Sequence, residues 1–281
     1  MREDSMAKIE RVLVTGSSGR AGRTVAADLI AHGYSVVGLD VREYPEADWE
    51  FVTGDIRNLD DVKKKMEGVQ AVCHTAAVPK DTGEAENIFD LNMKGTFNVL
   101  EAARSLGVER VVFASSVVVY GISRNGPLPH YLPIDEEHPC SPATTYAVTK
   151  LMGELLCRSY SLRYGMGTVC LRLGNFTLRE NVFSKEHDHG ELWTNLLGGK
   201  LVAEDLAQAF RLGLESDIRH GVYNITTRFR YTKEGKLDRG EAVERAAREL
   251  GLDSVAPEIV AGAASFSTAK AERELGYSPS C

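Results

Sequence analysis

Apolar and polar positions repeat along this chain in one order: a short β-branched run, a glycine or polar residue, then a stretch with helical spacing. Such runs at Arg11–Thr15, Ser35–Asp40, Glu50–Gly54, Val69–His74, Val111–Ala114 and Gly167–Leu171 predict six strands. Helices are predicted over Ala21–His32, Leu59–Met66, Glu84–Leu106 and Thr145–Tyr164. The third of these carries its apolar positions at Ile88, Leu91, Met93, Phe97, Leu100 and Ala103. Gly33 stands where a helix ends in the left-handed conformation. Strands that alternate with helices predict a parallel sheet covered on both faces. Right-handed crossovers make it a doubly wound α/β sheet, with ligands outside the carboxyl ends of the strands. Gly16, Asp40, Asp55, His74 and Ser116 all fall at such ends.

After Arg172 the pattern loosens. Asn181–Gly190 is polar and is expected to be a mobile loop. Ala203–Leu214 and Gly240–Leu250 read as helices, and Val222–Ile225 as a short strand. The expected division is a main domain over residues 1–175 and a small substrate lobe over 176–281, continuous with it and lying over the mouth of the sheet.

Composition narrows the function. With 281 residues and 43% hydrophobic, the chain can bury one large core. Its formal charge of −7 is spread out, without a basic stripe, which argues against nucleic acid. No apolar run approaches the ~20 residues of a membrane span, and Met1-Arg2-Glu3-Asp4-Ser5 is too polar for a secretory signal. The five cysteines (Cys73, Cys140, Cys157, Cys170 and Cys281) are scattered, without a Cys-x-x-Cys, which fits a reduced cytosol and no structural zinc. A cytoplasmic location is therefore expected.

Candidate chemistry begins at Thr15-Gly16-Ser17-Ser18-Gly19-Arg20-Ala21-Gly22. Three glycines lie between a strand and a helix, where free N–H groups and the helix dipole suit a pyrophosphate. The spacing is Gly-x-x-Gly-x-x-Gly, so alone it is a weak signal. Asp40 ends the second strand, where a carboxylate accepts both hydroxyls of an adenosine ribose and repels a 2′-phosphate. That favours NAD, while Arg42 keeps NADP open. Asp55 and Ile56 are candidates for pairing with adenine.

Tyr146 and Lys150 are four apart on a predicted helix and share a face. A free tyrosine titrates near pH ~10; an adjacent ammonium, helped by a cationic nicotinamide, is expected to lower that value and make Tyr146 a base. Ser116 can hydrogen-bond the substrate oxygen whose proton Tyr146 takes. His187-Asp188-His189 has no supporting ligand cluster, so no metal site is expected. Trp193 and Phe183 either stack on a sugar ring or pack the lobe.

These pieces together resemble the extended short-chain dehydrogenases/reductases, the family of NAD-dependent sugar epimerases, dehydratases and dehydrogenases. The similar segments are Thr15–Gly22, Gly54-Asp55, His74-Thr75-Ala76-Ala77, Asn92 with Gly95-Thr96, Ser115-Ser116 through Gly121, Tyr146-x-x-x-Lys150, and Arg172-Leu173-Gly174-Asn175. Weaker matches lie at 202–209 and 221–225. The resemblance implies a Rossmann fold, NAD as cofactor, a homodimer built on the two long helices, and a catalytic Ser116, Tyr146 and Lys150. It implies cofactor contacts from Gly16, Ser18, Gly19, Arg20, Ala21, Gly22, Asp40, Asp55, Ile56, Thr75, Ala76, Ala77, Asn92, Ala114 and Lys150. Asn92 would support the active-site helix. The substrate side would comprise Ser116, Val117, Val118 and Asn175, with Arg179 or Arg172 as the partner of a carboxylate.

Two departures narrow the family's activities. Dehydratases carry an Asp-Glu pair where this chain has Val117 and Val118, which cannot move protons. The segment Phe176–Val202 is shorter than in nucleotide-sugar epimerases and lacks their Tyr-Gly-Pro, and this resembles the compact uronate dehydrogenases. The leading expectation is oxidation of a sugar or sugar-acid secondary alcohol by hydride transfer to NAD. A nucleotide-sugar 4-epimerase with tightly bound NAD is the alternative, and a non-catalytic NAD(P)-binding sensor is a third reading.

Overall fold

Val12, Leu13 and Val14 are wholly buried, so the first strand sits in the middle of a sheet with both faces covered. The computed structural model describes residues 9–79, 83–122, 129–176, 199–228 and 265–280. Its main sheet has seven parallel strands: β1 (Arg11–Thr15), β2 (Ser35–Asp40), β3 (Glu50–Thr53), β4 (Ala71–His74), β5 (Arg110–Ser116), β6 (Gly167–Leu173) and β9 (His220–Ile225). Their order is β3-β2-β1-β4-β5-β6-β9. The order reverses between β1 and β4, and this opens a crevice at their carboxyl ends. β7 (Asn175–Phe176) and β8 (Lys200–Leu201) form a separate parallel pair.

The alternation of side chains along each strand makes two cores. Val12 and Val14 face α1 (Arg20–Ala31), α6 (Ala203–Glu215) and α7 (Ala269–Leu275), packing with Val25, Leu29, Phe210 and Leu275. Leu13 faces the other way, toward α2 (Leu59–Lys65), α4 (Gly95–Leu106) and α5 (Thr145–Tyr164), with Val62, Leu100 and Cys157. Local chemistry sets the helix ends. The Asn58 side chain accepts from the N–H groups of Asp60 and Asp61 at the start of α2, and Lys63, Lys64 and Lys65 lie in its last turn. Thr144 accepts from Ala147 N–H to start α5, and Gly165 at φ 76° ends it.

The six predicted strands and the segments of the four predicted helices are all present, with ends moved by up to two residues. Two differences have physical causes. Glu84–Leu106 is not one regular helix: α3 (Ala85–Phe89) runs into a π turn at Asp90–Lys94 and then into α4. The wider turn changes the phase of the face, so Asn92 and Thr96 point inward while Phe97, expected in the core, is 44% exposed. The second difference concerns residues expected in the lobe: α6 packs against α1, and β9 pairs with β6 from Thr168↔His220 to Leu173↔Ile225. Tyr223 and Ile225 join the α1-side core, and that burial draws the strand onto the sheet. The helix predicted over Gly240–Leu250, the Asn181–Gly190 loop, the His187-Asp188-His189 run, Phe183 and Trp193 lie outside the described residues.

Candidate active site

The glycine turn is built by close backbone approach. A Cβ on Gly22 would lie 2.2 Å from the Gly16 carbonyl oxygen, and one on Gly16 would lie 2.7 Å from Ala76 Cα. Gly16 also has φ 71°, which side chains rarely adopt. No side chain caps α1 at Gly19, so its first-turn N–H groups are left facing the crevice. This cradle fits a pyrophosphate. Asp40 closes its outer end: Oδ2 accepts from Ser18 N–H and Oδ1 from Arg42 N–H, both at 3.0 Å. Arg20 extends from the start of α1 over the Phe176 ring, 5.6 Å from its centroid, so the turn and the segment after β6 meet.

Beyond the turn, Thr75 Oγ1 donates to the Thr15 carbonyl at 2.7 Å and brings β4's exit against β1. Asp55 lies past β3, where its carboxylate is forked by Arg57 Nε and the terminal guanidinium nitrogen, the latter at 2.7 Å. That hydrogen bonding holds its carboxyl below the usual range. Ile56 is buried, and its carbonyl accepts from Asn98.

At the other end, Ser116 terminates β5; its hydroxyl donates to the Leu173 carbonyl at 3.5 Å and lies close enough to the phenol of Tyr146 on α5 to favour the phenolate. Lys150 lies one turn further along α5, buried to 4% exposure, and donates from Nζ to the Ala114 carbonyl at 2.7 Å. Nζ is 5.6 Å from the Tyr146 ring centroid. The expected lowering of the tyrosine by this ammonium is not what the protein chain by itself produces. Burial pushes the Tyr146 phenol up to about 12, opposed by the neighbouring Ser116 hydroxyl. Burial likewise pushes Lys150 down to about 8. Val117 and Val118 begin a 3₁₀ turn (Val117–Tyr120) capped by the Ser116 hydroxyl, and Val118 is 40% exposed.

The Lys150 shift has a sign that can be measured. The unfolded chain holds a lysine proton to about pH 10.4, whereas the folded chain releases it near 8. Between those values the unfolded state binds more protons, so this lysine makes stability rise with pH across the window. Raised tyrosines act oppositely above pH ~10. Lys150→Met should therefore flatten the change in urea midpoint between about pH 8 and 10 relative to the unsubstituted chain. Parallel curves for both proteins would show that Lys150 carries no such cost.

A buried chain of hydrogen bonds ties the two ends together. Ala76 N–H donates to Thr15 Oγ1, which donates to His74 Nδ1 at 2.7 Å. His74 Nε2–H then reaches Thr96 Oγ1 at 3.0 Å, and Thr96 donates to the Asn92 carbonyl at 2.5 Å. That sense fixes the Nε2–H tautomer. Burial, with the Lys150 charge, lowers His74 to about 3, so the ring stays neutral. Asn92 in the π turn accepts from Val78 N–H at 2.8 Å and donates to Thr149 Oγ1 at 3.1 Å, beside Lys150.

Arg172, a candidate for a substrate carboxylate, is already engaged. Its guanidinium forks onto Glu154 at 3.0 and 2.8 Å, and both side chains are almost wholly buried. The same Glu154 accepts from Ser115 at 2.5 Å, and Arg172 donates to the Tyr120 hydroxyl at 2.9 Å. Tyr120 in turn reaches Asn224 Oδ1 at 2.8 Å. Arg172 therefore braces the floor of the site and cannot face substrate. Sequence reading missed Glu154, although Tyr146, Lys150 and Glu154 at spacings of four mark one helix face. Asn175 is exposed at the start of β7, and Arg179 lies outside the described residues. Among the described residues no cluster of three or more His, Cys, Asp or Glu could hold a metal ion, and no helix is long and apolar enough to cross a membrane.

The profile of the NAD dependent epimerase/dehydratase family matches residues 12–198. This chain belongs to that family. A putative UDP-glucose 4-epimerase of Methanocaldococcus jannaschii is 37% identical over 176 residues, covering 58% of this chain and 55% of that protein. The L-arabinose 1-dehydrogenase (NAD(P)(+)) of Haloferax volcanii is 30% identical over 216 residues, covering 74% and 84%. Among solved structures, a short-chain dehydrogenase/reductase superfamily protein from Agrobacterium tumefaciens with bound NAD superposes with a TM-score of 0.75 at 25% identity, over 97% of this chain and 93% of that one. The epimerase/dehydratase family thus includes both net dehydrogenases and epimerases among the relatives of this chain, and NAD is its cofactor.

Proposed function

We propose that this family member is an NAD-dependent oxidoreductase that converts a secondary alcohol of a sugar or sugar acid into the carbonyl. The observation that carries the reading is the meeting of Ser116 and Tyr146 at the end of β5, with buried Lys150 one turn away. The Gly16–Gly22 cradle, with Ser18, Arg20 and Ala21, would hold the pyrophosphate. Asp40 would hold the adenosine ribose, and Asp55 with Ile56 the adenine. Thr75, Ala76, Ala77, Asn92, Ala114 and Lys150 would line the nicotinamide end.

When bound, NAD supplies the hydride acceptor and a positive charge near the phenol. Tyr146 takes the hydroxyl proton, and Ser116 holds the same oxygen as its bond order rises. Lys150 keeps an ammonium one turn from the phenol below its value of about 8. Bulk water then collects the proton from Tyr146. Val117 and Val118 supply no acid or base, so water elimination finds no catalyst beside Ser116. The short Phe176–Val202 segment favours a free sugar or sugar acid, with Asn175 at its pocket.

A 4-epimerase is the second reading, favoured by the likeness to the Methanocaldococcus protein. A panel of free sugars, sugar acids and nucleotide sugars, followed by absorbance, separates the two. Continuous NADH formation with a free sugar or sugar acid supports net oxidation. Interconversion of a nucleotide sugar without NADH release would replace that reading.

We further propose a homodimer through α4 and α5. Phe97, Leu155 and Leu162 are 44%, 57% and 71% exposed on these helices, an apolar surface that a second copy would cover. Sedimentation at micromolar concentration is expected to give twice the chain mass, and Leu155→Glu with Leu162→Glu to give the single-chain mass. A monomeric unsubstituted protein would remove this proposal.

A further inference from the structure

Lys150 is 4% exposed, and among the described residues no carboxylate pairs with it. Leaving water disfavours the charged form, so a buried ammonium needs other partners. One of its three N–H donors reaches the Ala114 carbonyl. Two ring faces lie beside it as well. Nζ is 5.1 Å from the centroid of Phe113 and 5.6 Å from that of Tyr146, both within the ~6 Å of a cation–π contact.

Phe113 is placed for this by the sheet and by one glycine. It sits on β5 directly before Ala114, and strand alternation turns its ring into the core on the α5 side. The tip of the ring fills the space at Gly153, where a Cβ would lie 2.4 Å from Phe113 Cζ. Gly153 follows Lys150 by three residues on α5 and shares its face. The missing side chain lets the ring pass under the helix beside the lysine. The His74 ring packs on Phe113 too, with centroids 5.8 Å apart, and its bonds to Thr15 and Thr96 hold it there. The ionisable groups around the lysine add no net charge. Burial keeps the Tyr146 phenol and the His74 ring neutral, and Glu154, one turn further along α5, is paired with Arg172.

We propose that Phe113 is a positioning residue for the oxidation: its ring face holds the Lys150 ammonium charged and one turn from the phenol, in room that Gly153 provides. The part played by Lys150 rests on the oxidoreductase reading, whereas its contact with Phe113 does not.

The test follows the titration of Lys150 itself through the Cε resonance of isotope-labelled lysine, with Lys150→Met assigning the signal. Phe113→Leu and Phe113→Met both keep an apolar side chain under α5 and remove the ring face. Each is expected to lower the titration midpoint by about one unit, the size of a desolvated cation–π contact. A merely structural role predicts the opposite sign, because a cavity that admits water eases the burial of the charge and raises the midpoint. Methionine fills irregular gaps, so it reads the effect should the leucine variant fail to fold. A midpoint that is unchanged or raised overturns the inference and leaves the oxidoreductase reading standing. The pH at which oxidation levels off should fall together with the midpoint. A levelling that stays in place while the midpoint falls would uphold the contact and overturn the part assigned to Lys150.

Discussion

Tyr146→Phe is expected to lower the rate of substrate oxidation by about 10²- to 10⁴-fold, the range spanned by removal of a positioned general base. The ring keeps its packing on α5, and only the hydroxyl beside Ser116 is lost. NADH binding, read by fluorescence, should therefore survive while turnover, read by absorbance in the same sample, collapses. The raised phenol also gives the unsubstituted enzyme a pH dependence. With Tyr146 pushed to about 12 by burial, activity should climb with pH up to about 8, where Lys150 begins to lose the ammonium one turn from the phenol, and flatten above it. Turnover that is unchanged in Tyr146→Phe would remove the phenol from the chemistry and return the site to a binding role.

The second large effect lies behind the site. Arg172→Met leaves the Glu154 carboxylate buried, with the Ser115 hydroxyl as its remaining hydrogen-bond donor among the described residues. Breaking a buried pair from one side costs about 3–5 kcal/mol. Replacing both partners by apolar residues, Arg172→Met with Glu154→Leu, should recover a large part of that loss, because no unpaired charge remains. Urea unfolding of the two single variants and the double variant closes the cycle. A loss below about 1 kcal/mol in Arg172→Met, the size of a surface pair, would mean that water reaches Glu154. The brace also touches the candidate site, since Ser115 precedes Ser116 and Tyr120 ends its 3₁₀ turn. The double variant is thus expected to fold well and yet oxidise substrate more slowly.

How far the sequence alone leads differs between the parts of the site. Strand ends were readable because a run such as Val12-Leu13-Val14 buries both faces and stops at a glycine that only a turn requires. Tyr146 and Lys150 were readable because helical spacing places them on one face before any packing is known. Arg172 was not, since its partner Glu154 lies on another element and only folding brings them together. The same holds for β9: a short apolar stretch carries no mark of which sheet it joins, and Tyr223 and Ile225 reveal it only through the core they complete. Phe97 misled because a periodic pattern assumes one helix type throughout, and the π turn at Asp90–Lys94 breaks that assumption. The upward push on Tyr146 is not legible in sequence for a related reason: the neighbouring lysine is visible there, whereas burial is not.

That π turn gives this fold an unusual point of vulnerability. A helix holding one residue more than its α form needs is a stored insertion, and loss of any one of Asp90–Lys94 would let α3 and α4 merge into a regular helix. An α-helix advances about 100° per residue, and the wide turn absorbs that advance, so one deletion there would leave α3 and α4 in their present phase. Thr96 would stay on His74, while Asn92, which the wide turn itself presents, would be withdrawn from Val78 and Thr149. A single deletion far upstream of Tyr146, in a segment that by composition looks like ordinary scaffold, would thus spare the core and cost the Asn92 contacts.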